Sequence, residues 1–269
     1  MNYTFMLKNK KIIIISISSD FGHSISSYYL KFNKIIGTYR KTNNNLKSIS
    51  KNNNLNLKKV NLTNNNSIIN FCNYILKYHN DWTNIIFCNG DLNPIEKFTK
   101  VKFEKWNNSI QINFLSILNI LNLLLKNNKK KRKILFFAGG GTNNATKYYS
   151  SYTLSKILLI KFTELLDYEE KKIDVSILGP GWIKTKIHQP TLRSKIKNFK
   201  NKKLTKKIFK KDNKNDLNKL NLCVDWMFRY SSKISGRNIS LKFDKWGFQG
   251  LLKRFNKNKN LYKLRRYGN

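Results

Sequence analysis

The sequence predicts an α/β protein with one doubly wound parallel sheet of about seven strands and helices on both faces. The first observation behind this prediction is that short β-rich runs alternate along the chain with longer runs of helical periodicity. The second is that 269 residues, 40% of them hydrophobic and 13% aromatic, suit one sizeable domain with its own core. The strand candidates are enough for a single sheet of this kind.

The strands are expected in the short β-rich runs and the helices in the longer runs between them. In chain order, the predicted strands are Ile12–Ser18, Lys34–Tyr39, Leu57–Leu62, Asn84–Cys88, Ile134–Ala138, Asp174–Leu178 and Asn238–Phe243. The predicted helices are Ser24–Phe32, Ser67–Tyr78, Trp106–Leu125, Ser150–Glu170 and Leu217–Tyr230. An open parallel sheet binds ligands outside the carboxyl ends of its strands, so the candidate site is expected at that edge.

Three Lys/Asn-rich segments interrupt this pattern: Lys41–Lys59, Lys126–Lys133 and Lys195–Asn215. Their composition predicts solvated surface turns or mobile connections, not linkers between domains. We therefore expect residues 1–245 to form a single domain. Residues 246–269 are expected to form a basic C-terminal tail that packs on or near that domain.

The formal net charge of +39 would ordinarily indicate nucleic acid, an acidic membrane surface or an anionic substrate. Here the excess of Lys accompanies an equal excess of Asn and Ile, with Asn triplets at 43–45, 52–54 and 64–66. Drift in an A/T-rich coding sequence produces this composition without selection for binding. We therefore expect no specific nucleic-acid partner, only nonspecific binding to polyanions that fades as salt rises.

The chain's cysteines, Cys72, Cys88 and Cys223, are far apart and lack metal-ligand spacing, which indicates buried reduced thiols in a cytoplasmic protein. The 3 histidines also lack ligand spacing, so no metal site is expected. The early apolar run Ile12–Ile17 is too short to span a membrane and has no cleavage signal after it. No membrane association is predicted.

Tyr152 and Lys156 lie four residues apart in a predicted helix, so both side chains can point into one pocket. To act as an acid/base near neutrality, a tyrosine needs its pKa lowered from about 10, at a cost of about 4 kcal/mol that nearby positive charge can supply. Lys156 is a candidate source of that charge. Taken alone, the pair is weak evidence, and an amphipathic helix carrying an exposed lysine is the favoured interpretation.

Further motifs occur in a fixed order around this pair. Ser16-Ile-Ser-Ser-Asp20-Phe-Gly22 follows the first strand, and Cys88-Asn89-Gly90 follows the fourth. Asn113 lies on the next long helix. Pro180-Gly181-Trp182-Ile183-Lys184-Thr185 ends the sixth strand, and Ile234-Ser-Gly-Arg-Asn-Ile239 precedes the last. In this order and spacing the chain resembles the short-chain dehydrogenase/reductase family over about residues 10–245, which implies a Rossmann-like fold.

The resemblance implies a role for each matching residue. Tyr152 would exchange a proton with the substrate hydroxyl or carbonyl, and Lys156 would lower the tyrosine pKa and hold the nicotinamide ribose. Asn113 would position a water that relays protons. The alternative is that Asn113 has no catalytic role and its side chain is hydrogen-bonded to neighbouring backbone within the helix. Thr185 would bond the nicotinamide carboxamide. The implied cofactor-binding residues are Ser16, Ser18, Ser19, Asp20, Phe21, Gly22, Arg40, Asn61, Asn89, Gly90, Tyr152, Lys156, Pro180, Gly181, Ile183 and Thr185.

The end of the second strand favours NADP over NAD. A dinucleotide fold that prefers NAD has an acidic residue at this point, whereas a basic residue accommodates the additional phosphate of NADP. No acidic residue occurs between Asp20 and Asp81, and the strand ends in Gly37-Thr-Tyr-Arg40-Lys41. The planar fork of Arg40 suits a phosphate. The alternative is that drift merely removed the acidic residue, which leaves NAD possible.

One departure from the family pattern affects catalysis directly. The family has a serine about a dozen residues before the tyrosine, and here that stretch is Ala138-Gly-Gly-Gly-Thr142. The position thirteen residues before Tyr152 is Gly139. Thr142 is the nearest hydroxyl and is the candidate replacement. The alternatives are backbone N–H groups of the glycine run, or an enzyme that is slow or inactive.

The predicted function is NAD(P)-dependent hydride transfer between the nicotinamide and an alcohol or carbonyl substrate. The tail after residue 246 faintly resembles that of family members in surface-polysaccharide synthesis, which suggests a sugar-linked substrate. Family members commonly pair through two helices, which correspond here to Trp106–Leu125 and Ser150–Glu170. The resemblance therefore implies a homodimer or homotetramer. The alternative, motivated by the eroded phosphate turn and the missing serine, is a dinucleotide-binding sensor or scaffold without catalysis.

Overall fold

The computed structural model describes residues 6–197, 199–210 and 214–266. The strands are β1 (Lys11–Ile15), β2 (Lys34–Tyr39), β3 (Leu55–Lys59), β4 (Asn84–Phe87), β5 (Arg132–Phe137), β6 (Ile173–Gly179) and β7 (Asn238–Ser240). The helices are α1 (Asp20–Tyr29), α2 (Asn44–Ile49), α3 (Asn65–Tyr78), α4 (Phe103–Ile110), α5 (Ser116–Leu125), α6 (Ser150–Glu169), α7 (Gln189–Arg193), α8 (Lys200–Phe209), α9 (Lys214–Arg229), α10 (Ser231–Ile234) and α11 (Gln249–Lys257).

All neighbouring strands pair in parallel, in the order β3-β2-β1-β4-β5-β6-β7. The strand order reverses between β1 and β4, which creates the crevice where doubly wound sheets bind ligands. Alternate residues of β1 enter opposite cores: Ile12 and Ile14 pack with α1, α9 and α11, while Ile13 and Ile15 pack with α3, α5 and α6. The predicted fold class is confirmed.

The stretch Phe103–Leu125 is one continuous helical rod, in which a π-helical turn (Gln111–Leu115) separates α4 from α5. By length and composition these 23 residues, with a mean hydropathy of 1.4, would be able to cross a membrane. In the fold, Ile117, Ile120 and Leu124 are instead buried against the sheet. The apolar character is therefore that of a core helix.

Two of the three Lys/Asn-rich segments contain regular structure, so the prediction that they are turns is wrong. Residues 41–59 contain α2, whose Leu46 and Ile49 are buried in the core, and β3. Residues 195–215 contain α8 and the start of α9, and residues 198 and 211–213 lie outside the described residues. Between Lys126 and Lys133, only the last two residues enter a strand. A few apolar side chains on one face suffice to dock a short helix. Among so many lysines and asparagines, these few residues give no clear helical periodicity in the sequence.

Several boundaries also differ from the prediction. Strand β1 ends at Ile15 because Ser16 adopts the left-handed region, with φ of 62°. Helix α1 begins at Asp20 because the Ser19 side chain caps it. Strand β3 lies two to three residues earlier than predicted, and β7 ends at Ser240 because the chain turns there and the Asp244 carboxylate accepts the Ser240 N–H. Leu251 and Phe255 of α11 are buried.

Candidate active site

A cavity of about 770 Å³ opens at the carboxyl ends of β1, β4, β5 and β6. This volume falls in the range of roughly 300–1,000 Å³ typical of small-molecule sites. The predicted site residues that line it are Ser19, Asp20, Phe21, Asn89, Gly90, Thr142, Tyr152, Lys156, Pro180, Gly181, Ile183 and Thr185. The predicted residues that lie outside its lining are Ser16, Ser18, Gly22, Arg40, Asn61 and Asn113. Within the described ranges, no three His, Cys, Asp or Glu side chains are grouped to hold a metal ion.

The β1–α1 turn retains a tight path despite its missing glycines. The backbone N–H of Ser19 donates to the Ser16 carbonyl at 3.0 Å, and the Ser19 hydroxyl accepts the Gly22 N–H at 3.0 Å. A Cβ on Gly22 would lie 2.5 Å from the Ser16 oxygen, so only glycine fits there. The turn thus delivers the N-terminus of α1, a favourable position for a phosphate, to the edge of the cavity.

Asp20 occupies the first turn of α1 and bridges the cavity to the segment after β6. Its carboxylate accepts the backbone N–H of Lys186 at 2.5 Å and the Nδ2 of Asn45 at 3.0 Å. The Lys186 ammonium lies 3.8 Å from the same carboxylate. A negative side chain with these partners therefore lies where this fold receives a phosphate. Sequence reasoning did not predict the contact, because its two ends are far apart along the chain.

Asn113 lies in the π-helical turn and is fully buried. Its Nδ2 donates to the carbonyls of Asp91 and Ser109, each at 2.9 Å, and its Oδ1 accepts the Asp91 N–H at 2.9 Å. Asn113 therefore fixes the loop after β4, in which Gly90 lines the cavity. Asn89 donates to the Ile112 carbonyl at 2.7 Å, while its buried Oδ1 has no hydrogen-bond partner among the described residues.

Tyr152 and Lys156 lie one turn apart on α6, and both are buried at the cavity wall. The Lys156 Nζ lies 5.7 Å from the centre of the Tyr152 ring. Burial lowers the pKa of Lys156 to about 8, an effect partly opposed by the nearby Cys88 thiol. Burial also raises the pKa of Tyr152, and the neighbouring Tyr149 raises it further by a smaller amount. In this arrangement burial outweighs the lowering of the Tyr152 pKa that was expected from Lys156.

Gly139 is thirteen residues before Tyr152, and the Tyr152 ring fills the space beside it. A Cβ on Gly139 would lie 2.8 Å from the Tyr152 hydroxyl oxygen, 2.7 Å from its Cε1 and 2.9 Å from the Lys156 Cγ. Thr142 lines the same cavity beyond the glycine run. The Tyr152 ring therefore occupies the space that a side chain at position 139 would need. A serine at that position would clash with Tyr152 in its present orientation.

The segment after β6 turns at Gly181, with φ of 69°, under the cavity. Thr185 is buried there, and its hydroxyl donates to the Ile183 carbonyl at 3.3 Å. Arg40 and Asn61 follow the carboxyl ends of β2 and β3 and are exposed. The Asn61 Oδ1 accepts from the Thr63 hydroxyl at 2.9 Å, in a local turn.

The Lys/Asn-rich stretch after Ile187 supplies cavity residues that sequence reasoning missed. His188, Pro190, Thr191 and Asn201 line the cavity, and the Tyr149 and Thr191 hydroxyls lie 2.7 Å apart. The only local sequence signal was the Gln189-Pro190 start of α7, since Pro favours the first turn of a helix. Cys88, which faces Lys156, was likewise assigned no role.

A family model described as short chain dehydrogenase matches residues 10–195. No curated protein matches the chain significantly.

Three solved structures share the fold at low identity. A short-chain dehydrogenase/reductase from Saccharomyces cerevisiae aligns with a TM-score of 0.76 and 18% identity, over 92% of this chain and 99% of its own. The ligand-free aldohexose dehydrogenase of Thermoplasma acidophilum gives 0.71 and 16%, over 87% and 92%. A short chain dehydrogenase from Shigella flexneri, in complex with NADP, gives 0.71 and 13%, over 88% and 99%.

The family match extends from β1 through the segment after β6 and includes the Tyr152–Lys156 pair, the Asn113 turn and the glycine at 22. The sheet order and the cavity at the strand switch point agree with it. The resemblance found in the sequence is thereby confirmed: this chain belongs to the short-chain dehydrogenase/reductase family of NAD(P)-dependent oxidoreductases.

Proposed function

We propose that this protein is an NADP-dependent oxidoreductase that interconverts an alcohol and a carbonyl, with Tyr152 as the proton-transferring group. The observation that carries the proposal is the burial of Tyr152 and Lys156 together in the wall of one large cavity at the sheet's switch point. A buried tyrosine next to a buried lysine is poorly explained by packing alone, because burying a lysine without a charged partner costs free energy, and such groups are concentrated at functional sites.

The residues present fit a dinucleotide. The N-terminus of α1 faces the cavity, Gly22 permits close packing of that helix on the turn, and the buried Asn89 Oδ1 has no partner among the described residues. Ser19 and the Pro180–Thr185 segment would hold the phosphates and the nicotinamide end. When bound, the nicotinamide supplies or accepts the hydride.

The chain's own residues handle the proton. In the reducing direction, the Tyr152 hydroxyl donates its proton to the substrate oxygen as the carbonyl becomes an alcohol. Lys156, charged below pH of about 8, stabilises the phenolate that remains. Asn113 acts indirectly by holding the loop after β4 beside them.

The test of this function is turnover of NADPH and NADH against a panel of carbonyl compounds that includes aldoses and sugar nucleotides. We expect NADPH oxidation with at least one member of the panel and a higher kcat/KM for NADPH than for NADH. Equal turnover by the wild type and by Tyr152→Phe would show that the reaction does not use this site.

The pH dependence of reduction should follow Lys156. Its pKa of about 8 means that the ammonium is present at pH 7 and lost as pH rises further. We therefore expect kcat for carbonyl reduction to fall as pH passes from 7 to 9, measured under saturating NADPH. In the matched variant Lys161→Gln, which removes an exposed lysine of the same helix, the profile should not move. A flat wild-type profile up to pH 10 would contradict this role.

Arg40 is proposed to select NADP. It follows β2 and is exposed, so its guanidinium is free to contact the additional phosphate of NADP. Arg40→Ala should weaken NADPH binding by about 1.5–3 kcal/mol, the usual value of a charge-assisted hydrogen bond, and leave NADH binding unchanged. Fluorescence titration measures both. In the neighbouring control Lys41→Ala both affinities should stay near wild type, and equal losses for the two cofactors in Arg40→Ala would remove its selective role.

Asp20 is expected to oppose cofactor binding. Its carboxylate occupies the first turn of α1 and holds the Lys186 backbone N–H. Asp20→Asn, which removes the charge and keeps the shape, should raise NADPH affinity by about tenfold, because a like charge beside a pyrophosphate costs at least ~1.4 kcal/mol. Isothermal titration calorimetry measures the change. An unchanged dissociation constant would place the pyrophosphate away from Asp20.

A sugar-linked substrate is proposed from the polar groups around the cavity mouth. Thr142, Asn143, Asn144, Thr191 and Asn201 offer hydroxyl and amide groups that suit a polyhydroxylated ligand. One solved relative in fold is an aldohexose dehydrogenase, which motivates aldoses in the panel. Thr142 is the proposed replacement for the absent serine, and a kcat in Thr142→Ala equal to that of the wild type would remove it from this role.

We further propose a cytoplasmic homodimer or homotetramer, paired through α6 and the α4–α5 rod. Leu154, Leu158 and Leu165 form a stripe along α6 and are each more than 40% exposed, as is Leu115 of the rod. A second copy of this chain is the expected occupant. Light scattering should give a multiple of 31.8 kDa for the wild type and a monomer for Leu158→Lys. Leu76→Lys on α3 is the control that should not change the mass.

The second candidate is a dinucleotide-binding sensor or scaffold without catalysis. It is favoured by the raised pKa of Tyr152 and by the phenol filling the space of the missing serine. Saturable NADPH binding without turnover on any panel member would support it over the oxidoreductase.

A further inference from the structure

A second cavity, of about 300 Å³, lies at the opposite edge of the sheet from the cofactor cleft. Gly236 and Arg237 directly precede β7, and Asp167 lies in the last turn of α6 before β6, so this cavity is at the amino ends of the strands. We call it the basal cavity. Its lining residues are Asp167, Ser232, Lys233, Ser235, Arg237, Phe255, Asn256, Lys259 and Lys263.

Arg237 is the buried cation of this cavity, with 7% of its surface exposed. Its Nη1 donates to the Ser235 carbonyl at 3.0 Å and its Nη2 to the Phe255 carbonyl at 3.4 Å. The guanidinium also stacks over the Phe255 ring, 4.7 Å from the ring centre. Its buried Nε has no hydrogen-bond partner among the described residues. These contacts fix the orientation of the group but do not neutralise its charge.

The charges around the basal cavity are unbalanced. Lys233, Lys259 and Lys263 join Arg237 on its lining, and Asp167 is the one acidic side chain among the lining residues. The nearby carboxylate of Glu164 is already paired with Arg265 and Lys161. Cations grouped in a concave, partly desolvated site repel one another, and a multiply charged anion relieves that repulsion.

We propose that the basal cavity binds a phosphomonoester, whose dianionic phosphate lies against Arg237 and the lysines. The volume exceeds that of a phosphate alone and is at the lower end of the range for small-molecule sites, roughly 300 Å³. A guanidinium held rigidly by backbone carbonyls is pre-organised for phosphate oxygens. The cavity is concave, which favours a small ligand over the extended backbone of a nucleic acid. The site does not depend on the proposed oxidoreductase activity.

The experiment titrates inorganic phosphate and glycerol 3-phosphate against the full chain, followed by calorimetry and by thermal unfolding, with chloride at matched ionic strength as reference. We expect saturable binding and a rise in Tm, with glycerol 3-phosphate bound more tightly than phosphate. Because the cofactor cleft is also expected to bind phosphate, the double variant Lys259→Gln/Lys263→Gln localises the site. Its affinity should be about tenfold or more lower, since it loses two charge-assisted contacts.

The matched control is Lys253→Gln/Lys257→Gln, which removes the same charge from exposed positions of α11 that do not line the cavity. It should bind within about twofold of wild type, because exposed charges outside the site are screened. No saturable binding, equal binding by both double variants and wild type, or equal loss in both variants would overturn the proposal. So would displacement of glycerol 3-phosphate by a single-stranded oligonucleotide at physiological salt, which would assign the cations to nucleic acid.

Discussion

Tyr152→Phe is expected to lower kcat for NADPH-dependent carbonyl reduction by about a hundredfold to ten-thousandfold, the usual contribution of a positioned acid/base group. The substitution removes only the hydroxyl, and no hydrogen bond from that hydroxyl is present within the described part of the chain. Stability should therefore change little. Steady-state kinetics on the best substrate of the panel, together with thermal unfolding, measure both quantities. Because the ring remains, NADPH binding should also be retained.

The matched control for this variant is Tyr148→Phe. Tyr148 is a nearby tyrosine whose ring contacts Phe199, and it is absent from the cavity lining. Its kcat should remain within a few-fold of the wild type. If the two phenylalanine variants lost activity equally, the effect would come from general packing near α6 and not from proton transfer. If neither lost activity, Tyr152 would have no part in the reaction.

Gly139→Ser, which would introduce the serine of the family, is expected to destabilise the protein and to impair catalysis. The added Cβ would lie within 3.0 Å of the Tyr152 hydroxyl and of the Lys156 Cγ, and both side chains are buried. Overpacking of this kind typically costs about 1–3 kcal/mol. Chemical denaturation should show that loss in the free energy of unfolding. Activity should fall because Tyr152 has to leave its present position.

Gly140→Ser provides a control at the adjacent residue, where an added Cβ meets nothing within 4 Å. Its free energy of unfolding should remain close to that of the wild type. The opposite outcome is also informative: if Gly139→Ser were as stable as Gly140→Ser and turned over faster, Tyr152 would move readily. The absent serine would then be the factor that limits the rate.

The sheet and the positions of Tyr152 and Lys156 were predictable because hydrophobic periodicity and motif order depend on local sequence. Strand β2 was predicted at its observed bounds. By contrast, neither α8 nor the cavity residues of the 187–209 segment were predicted. The few apolar side chains that pack this segment against the domain give no clear periodicity among its lysines and asparagines. Contacts such as Tyr149 with Thr191 join distant parts of the chain and leave no local pattern.

The prediction that Lys156 lowers the pKa of Tyr152 depended on residue spacing and on the family resemblance. Spacing places two side chains on one face of a helix, but it does not determine how deeply the site is buried. In the structure burial dominates and raises the pKa of Tyr152. Gly139 illustrates the same limit: the missing serine was visible in the sequence, whereas the occupation of its space by the phenol required coordinates.

The hydrogen bond from the Lys186 backbone to the Asp20 carboxylate divides the molecules into two populations, one with this bond closed and one with it open. If the bond closes the phosphate position, only molecules in which it is open can accept a pyrophosphate there. The apparent dissociation constant is then the intrinsic one divided by the open fraction. A closed state favoured by ~1.4 kcal/mol leaves about one molecule in eleven open, and raises the apparent constant by about elevenfold. The chain would thus respond only to cofactor concentrations well above those that its contacts alone require.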